Sequence, residues 1–114
     1  MITLFEKYKE QPKIGDYVVC KENNTSDIMV PRAILISQFV NCNIGKLIKI
    51  LSYRTTEYVY VIQYKNIPEY IKSYFGMVVR DVYNCRTYKK EEMLAFSNDK
   101  KDLEMYLQAN KYNL

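Results

Sequence analysis

The fold of this 114-residue chain is decided by the stretch KLIKILSYRTTEYVYVIQY, which runs from Lys46 to Tyr64. Its two ends, 46–53 and 58–64, are rich in β-branched and aromatic residues, which favour strands. The polar residues 54–57 between them have a length typical of a hairpin loop. The second run is apolar at both odd and even positions, as in strands that are buried on both faces. We therefore predict an antiparallel hairpin whose second strand lies in the centre of a small sheet.

Further short elements are predicted on both sides of this hairpin. Aromatic and β-branched runs predict strands over 17–20 and 77–83, and residues 84–88 either extend the second of these or form a turn. Residues 93–96 are predicted as a short closing strand or a turn. Residues 5–11 are predicted as an extended lead-in, or a turn of helix at most, and residues 21–27 as a loop. Helices are predicted over 33–42, 68–75 and about 99–110. For the first helix, an extended segment with a strand at 33–36 is the alternative.

Helical spacing predicts which side of the first and last helices is buried. In the first helix one apolar stripe would contain Ile34, Leu35, Gln38, Phe39 and Cys42. In the last helix the stripe would contain Leu103, Tyr106 and Leu107. Ser97 or Asn98 is predicted to cap the last helix, because short polar side chains accept hydrogen bonds from its first amides.

Four residues of the hairpin are predicted to lie mainly in the core: Ile48, Ile50, Val61 and Ile62. Lys49, which lies between two of them in the sequence, is predicted to be exposed. Asp81 follows an apolar run and Arg80, so we expect an ion pair at the edge of the core there rather than a catalytic carboxylate.

Three stretches resemble the SH3-like barrels, the group that includes KOW, Tudor and chromo-type modules. They are the turn and strand at 14–19, the glycine-led strand at 44–50 and its partner at 60–64. The resemblance implies an α+β, β-rich fold: a small, partly closed barrel with short inserted helices and a C-terminal helix. We expect one domain over residues 1–114, with the barrel at about 13–96 and the terminal helix at about 98–110.

The composition argues against most classes of enzyme. The chain has no histidine, so Ser-His-Asp and Cys-His nucleophile systems and histidine zinc sites are absent. Its three glycines, Gly15, Gly45 and Gly76, stand too far apart for a G-x-G-x-x-G or a Walker loop. We therefore expect a protein that is not an enzyme and that needs no cofactor and no metal.

Cysteine usage predicts a reducing compartment. Cys20, Cys42 and Cys85 are an odd, widely spaced set without a C-x-x-C, unlike the even disulfide frameworks of small secreted domains. We expect a cytoplasmic protein without an intramolecular disulfide. No apolar run reaches the roughly 18–20 residues needed to cross a bilayer, so no membrane is expected among its partners.

Tyrosine is the most unusual feature, with 12 residues in the chain. Tyrosine suits half-buried strands, and the excess can be purely structural. It also supplies large, rigid side chains with a polar tip, as in protein-binding hot spots. Tyr53, Arg54 and Tyr58 at the hairpin loop are the candidate contact cluster, and Tyr70 and Tyr74 on the short helix are the second candidate.

Two functions follow from these features. The leading prediction is an interaction module that binds another protein, similar in kind to small proteins of phages and mobile elements that act on a host protein. The alternative is a nucleic-acid-binding barrel that uses Lys and Arg with stacked tyrosines, since the chain carries a net charge of +4. The sequence sets neither the partner nor the oligomeric state.

Overall fold

The computed structural model describes residues 3–4, 11–22, 31–53, 57–77 and 80–111. This part of the chain contains six strands: β1 (Thr3–Leu4), β2 (Tyr17–Cys20), β3 (Gly45–Tyr53), β4 (Glu57–Gln63), β5 (Cys85–Tyr88) and β6 (Met93–Ser97). It also contains three α-helices: α1 (Pro31–Cys42), α2 (Glu69–Lys72) and α3 (Lys100–Lys111). A single 3-10 turn, Lys90–Glu92, joins β5 to β6. The predicted lead-in over 5–11 and the predicted loop over 21–27 lie mostly outside the described residues.

The strands form an antiparallel sheet in the order β1-β6-β2-β3-β4-β5. The predicted hairpin is confirmed as β3 and β4, and β4 lies between β3 and β5 as predicted. Within the described residues no pairing joins the two edge strands, β1 and β5, so the sheet is not closed. The structure is therefore an α+β domain with an open sheet, and the SH3-like barrel stays a prediction.

Both faces of the sheet are covered by helices, because β2 contributes to two apolar clusters. Val18 and Cys20 belong to the larger cluster, which receives side chains from α1 and α2. Val19 points the opposite way and belongs to a smaller cluster with Ala95 and with Leu103 of α3. This alternation of side chains along one strand places α1 and α2 on one face and α3 on the other.

A register shift in β3 changes the predicted core. The pairing with β4 shifts between Leu47 and Lys49, so an extra residue interrupts the alternation of side chains. Leu47 is consequently fully buried, although it was absent from the predicted core. Ile48 and Ile50 are only partly buried. Burial of Val61 and Ile62 and exposure of Lys49 are confirmed.

The helix predicted over 33–42 is confirmed as α1, and its extended alternative is wrong. The predicted stripe is confirmed only in part: Phe39 packs against the larger cluster and Ile34 is partly buried. The buried residues are Ile36 and Val40, whereas Leu35, Gln38 and Cys42 are exposed. Apolar residues occur on nearly every side of α1, so helical spacing alone does not determine which side faces the sheet.

The strand predicted over 77–83 is wrong for the residues of this range that the structure describes, and residues 78 and 79 lie outside them. Within the described residues of this range, Arg80 and Asp81 form a turn, and Asp81 has a left-handed backbone with φ of 64°. A left-handed residue ends an extended run, and aspartate tolerates this conformation better than most side chains. Asp81 is exposed, so its predicted place in an ion pair at the core edge is also wrong. The strand in this region is β5, within the segment left open as strand or turn.

The two later helices are confirmed with changes at their ends. The helix predicted over 68–75 is the single turn α2, followed by a non-helical turn. α3 buries Leu103 and packs Tyr106 and Leu107 against the smaller cluster, as predicted. Its cap is Asp99, whose Oδ1 accepts a hydrogen bond of 3.0 Å from the Lys101 amide. Ser97 instead donates from its hydroxyl to the Asp102 carboxylate.

Candidate interaction surface

The tyrosines divide into a buried set and an exposed set. The buried set is Tyr60, Tyr64 and Tyr88. The exposed set includes Tyr58, Tyr70, Tyr74 and Tyr83. Part of the tyrosine excess therefore belongs to the core, and among the described tyrosines the second set is the most exposed to solvent.

The described residues do not test the cluster predicted at the hairpin loop, Tyr53, Arg54 and Tyr58. Arg54 lies outside them, and Tyr53 ends β3 without a described side chain. Tyr58 is 48% exposed and borders a groove of about 370 Å³. The charged residues lining this groove are Glu57, Lys89, Lys90 and Glu91, so its formal charge is balanced. Among the described residues that line this groove, there is no excess of positive charge.

The second predicted pair is exposed, and the reason lies in α2 and the turn after it. Ile71 and Phe75 point into the core and are almost fully buried. Their sequence neighbours Tyr70 and Tyr74 point outward and are 67% and 37% exposed. Ile71 and Phe75 are four residues apart and share the side that faces the core. Tyr70 and Tyr74, one position earlier in each case, therefore lie on the side that faces solvent.

Two further exposed residues follow in the same connection between β4 and β5. Met77 is 51% exposed and Tyr83 is 61% exposed. We call Tyr70, Tyr74, Met77 and Tyr83 the connection set. Sequence reasoning placed Met77 and Tyr83 in a strand and did not nominate them. Asp81 and Asn84, both left-handed, are the signal that could have indicated a turn here.

An aromatic trio, of which Tyr64 and Phe75 are buried and Phe39 is partly buried, holds this connection against the core. The rings of Phe39, Tyr64 and Phe75 meet edge to face, with each pair of centroids 5.7 Å apart. Edge-to-face pairs at this distance add to the stabilisation from apolar burial. Phe75 therefore fixes the position of the turn that carries Tyr74.

Polar contacts tie the same connection to the edge of the sheet. Gly76 and Cys85 exchange two backbone hydrogen bonds, of 3.0 and 2.9 Å. The Gln63 side-chain amide donates to the Tyr83 carbonyl at 3.2 Å. Arg86 donates from Nη1 to the Tyr74 carbonyl at 3.0 Å. The connection set is thus presented on a backbone attached at several points to β4 and β5.

A partly buried ion pair lies beneath this edge. Arg86 Nη2 donates to Glu22 Oε1, and both side chains are largely shielded from solvent. Burial lowers the pKa of Arg86, but the neighbouring Glu22 and Tyr88 together outweigh this effect, and the net pKa is raised. Arg86 therefore stays charged at neutral pH.

The core beside this ion pair holds polar groups that favour their neutral forms. Burial raises the pKa of Tyr88, and the neighbouring Glu22 raises it further. Burial likewise raises the pKa of Tyr64 and of the Cys20 thiol. These groups stay protonated at neutral pH, so Cys20 lacks the thiolate that a nucleophile or a metal ligand needs.

The sequence matches no protein-family model, and no curated protein and no solved structure is significantly similar to it. Among the described residues, none of the helices is both long enough and apolar enough to span a bilayer. The same residues contain no group of three or more Cys, Asp or Glu side chains arranged to hold a metal ion.

Proposed function

We propose that this chain is a protein-interaction module that binds its partner through the connection set. The observation that carries the proposal is the distribution of exposed large apolar side chains. Eight such residues occur in the described part of the chain, and four of them lie in the segment 70–83. Clusters of exposed apolar side chains on small proteins mark interaction sites.

The residue types of this set support a protein as the partner. Tyrosine and methionine are both enriched at protein interfaces, tyrosine because it buries a large area with few rotatable bonds. The backbone at Tyr74 and Tyr83 is held by the aromatic trio and by hydrogen bonds from Arg86 and Gln63, so little backbone freedom is lost there on binding. The module acts without catalysis and without a cofactor.

Three earlier expectations remain proposals beside this one. The glycine-led β3 and the bulged hairpin support a likeness to SH3-like barrels. Three free cysteines, two of them buried, support a reducing compartment such as the cytoplasm. The small size and the composition support an origin in a phage or mobile element, with a host protein as the partner.

The proposal is tested by affinity purification from cells of the source organism with three forms of the protein. The forms are the wild type, a double variant Tyr70→Ser, Tyr83→Ser, and the control Tyr58→Ser. Tyr58 is exposed as well but lies outside the connection set, so it controls for general loss of surface tyrosine. We expect one protein partner that is recovered with wild type and control and lost with the double variant, a loss of about 2 kcal/mol or more.

The opposite results are equally clear. Recovery of the partner by the double variant, with loss in Tyr58→Ser, would move the binding face to the hairpin end. Recovery of RNA or DNA that dissociates steeply between 50 and about 200 mM salt would favour the nucleic-acid alternative. Circular dichroism melts of all three forms confirm that the comparison is made between folded proteins.

A further inference from the structure

The outer edge of β5 carries one residue whose backbone is free to pair. Gly76 and Cys85 exchange both backbone hydrogen bonds, so the Cys85 amide and carbonyl point away from β4. The backbone amide and carbonyl of successive residues point alternately to the two neighbouring strands of the sheet. Arg86 and Tyr88 therefore pair with Ile62 and Tyr60 of β4, and the amide and carbonyl of Thr87 point outward, like those of Cys85.

Nothing in the described part of the chain uses these two groups. Thr87 makes no turn or loop hydrogen bond there, and its side chain is exposed. The next outward-pointing residue, Lys89, is different, because both of its backbone groups are hydrogen-bonded to Glu92 of the 3-10 turn. Its amide donates to Glu92 Oε1, and its carbonyl accepts from the Glu92 amide. The free edge is therefore limited to Thr87, because Cys85 on one side pairs with Gly76 and Lys89 on the other side is hydrogen-bonded to Glu92.

A groove of about 270 Å³ lies along this edge. Its lining residues are Tyr74, Gly76, Cys85, Arg86 and Thr87. Tyr74 belongs to the connection set, so the free backbone pair and the exposed aromatic side chain border the same space. An outward amide and carbonyl from one residue match the donor and acceptor of an extended peptide.

We infer that an extended segment of a partner protein adds to the edge of β5 and pairs with Thr87, with a side chain of that segment packing on Tyr74. This rests on the proposed function and specifies its partner as an extended peptide. The short edge means that side-chain contacts with the connection set supply most of the affinity, while the backbone pair fixes the position of the segment.

A second copy of this chain fits the edge less well. Symmetric pairing of two β5 strands through Thr87 would place Lys89 of one copy opposite Cys85 of the other. That position is already occupied by Gly76. A foreign segment is not restricted in this way, because it can turn away beyond Thr87.

The test compares Thr87→Pro with Thr87→Ala. Both remove the threonine side chain, but only proline removes the outward amide, and proline is tolerated at a sheet edge where the amide makes no ladder bond. The probe is a library of random 12-residue peptides displayed on phage, panned on the immobilised wild-type protein. We expect enriched peptides that bind Thr87→Ala like wild type and bind Thr87→Pro about tenfold or more weaker.

Hydrogen exchange gives a second measurement that does not depend on the proline variant. The Thr87 amide of the wild-type protein should exchange more slowly when a selected peptide is bound. Equal affinity of the peptides for both variants, with an unprotected Thr87 amide, would overturn the inference. A concentration-dependent dimer that Thr87→Pro abolishes would overturn it too, by making a second copy the occupant.

These results are separable from the fate of the proposed function. If binding is lost in the Tyr70→Ser, Tyr83→Ser variant but kept in Thr87→Pro, the proposed interaction surface stands and strand addition is wrong. If binding is kept in both variants, the proposed surface and strand addition are both wrong.

Discussion

The Arg86 guanidinium lies over the ring of Phe75, with its central carbon 5.4 Å from the ring centroid. Phe75 comes from the turn after α2, and Arg86 comes from β5. The contact therefore joins the β4–β5 connection to the edge strand that it precedes. A cation over an aromatic face is favourable, and more so where solvent is partly excluded.

Replacing Arg86 by methionine should destabilise the protein by about 3 kcal/mol, the low end for a broken buried pair, because Arg86 keeps some exposure. The loss has a simple cause, since the shielded Glu22 carboxylate would lose its partner. Urea unfolding measures it. A matched double variant, Glu22→Met with Arg86→Met, should recover much of the loss. If the loss in free energy of unfolding of the double variant equals the sum of the losses in Arg86→Met and Glu22→Met, the two residues are not coupled.

Gly45→Ala should destabilise the fold by about 1–3 kcal/mol through overpacking. An added Cβ would overlap with the Ile62 side chain and would lie 3.0 Å from a ring carbon of Tyr64, two buried residues that cannot easily move. Gly76→Ala is the control, because nothing lies within 4 Å of a Cβ there. Chemical denaturation of the two variants should differ clearly. Equal midpoints would show that β3 and β4 can separate enough to admit a methyl group.

Native protein should react with a thiol reagent such as DTNB at one cysteine. Cys42 is exposed, whereas Cys20 and Cys85 are buried and burial raises the pKa of both thiols. Unfolding in guanidinium should release all three thiols, in keeping with the expectation that no disulfide forms. Cys42→Ser should reduce the rapid reaction to nearly zero. A second rapid thiol in the native state would contradict the burial of the other two.

Stability should fall as the pH rises above about 9. The ordinary pKa values of the Cys20, Tyr64 and Tyr88 groups are 9.0, 10.0 and 10.0, and burial raises all three in the folded state. Below pH 9 both states hold these protons, and the stabilisation is complete. At higher pH the unfolded chain releases protons that the folded chain retains, so each such group costs up to about 1.4 kcal/mol per pH unit.

Unfolding in urea at pH 7 to 10.5 measures this effect. Tyr88→Phe removes one of the three groups, so its stability should decline less steeply with pH than that of the wild type. A decline that is identical in the variant would show that Tyr88 ionises freely in the folded protein.

Much of the fold was predictable because it depends on local patterns. The hairpin at 46–64 and the strand at 17–20 consist of residues that favour strands in most contexts, and the polar loop limits how the two hairpin strands can meet. The helix α3 has a regular apolar stripe and an acidic start, so its buried side was also predictable.

The errors occur where local patterns allow several answers. In α1 the apolar residues surround the helix, so its buried side depends on how the helix meets β2 and α2. In β3 the bulge after Leu47 shifts the alternation, and nothing in the local sequence shows the shift. The candidate site shows the same limit: Tyr70 and Tyr74 were nominated from the sequence, whereas Met77 and Tyr83 were assigned to a strand because the turn at Asp81 was not recognised.

The sequence by itself determined that this chain has a β-hairpin, short helices and an excess of tyrosine, since these follow from composition and from the spacing of neighbouring residues. Only the tertiary structure decided which tyrosines fill the core and which face solvent. It also decided that Thr87 presents a free backbone pair, because that depends on Gly76 taking the neighbouring position on β5. Contacts between residues distant in sequence depend on the meeting of whole elements, and that meeting is set by packing rather than by local preference.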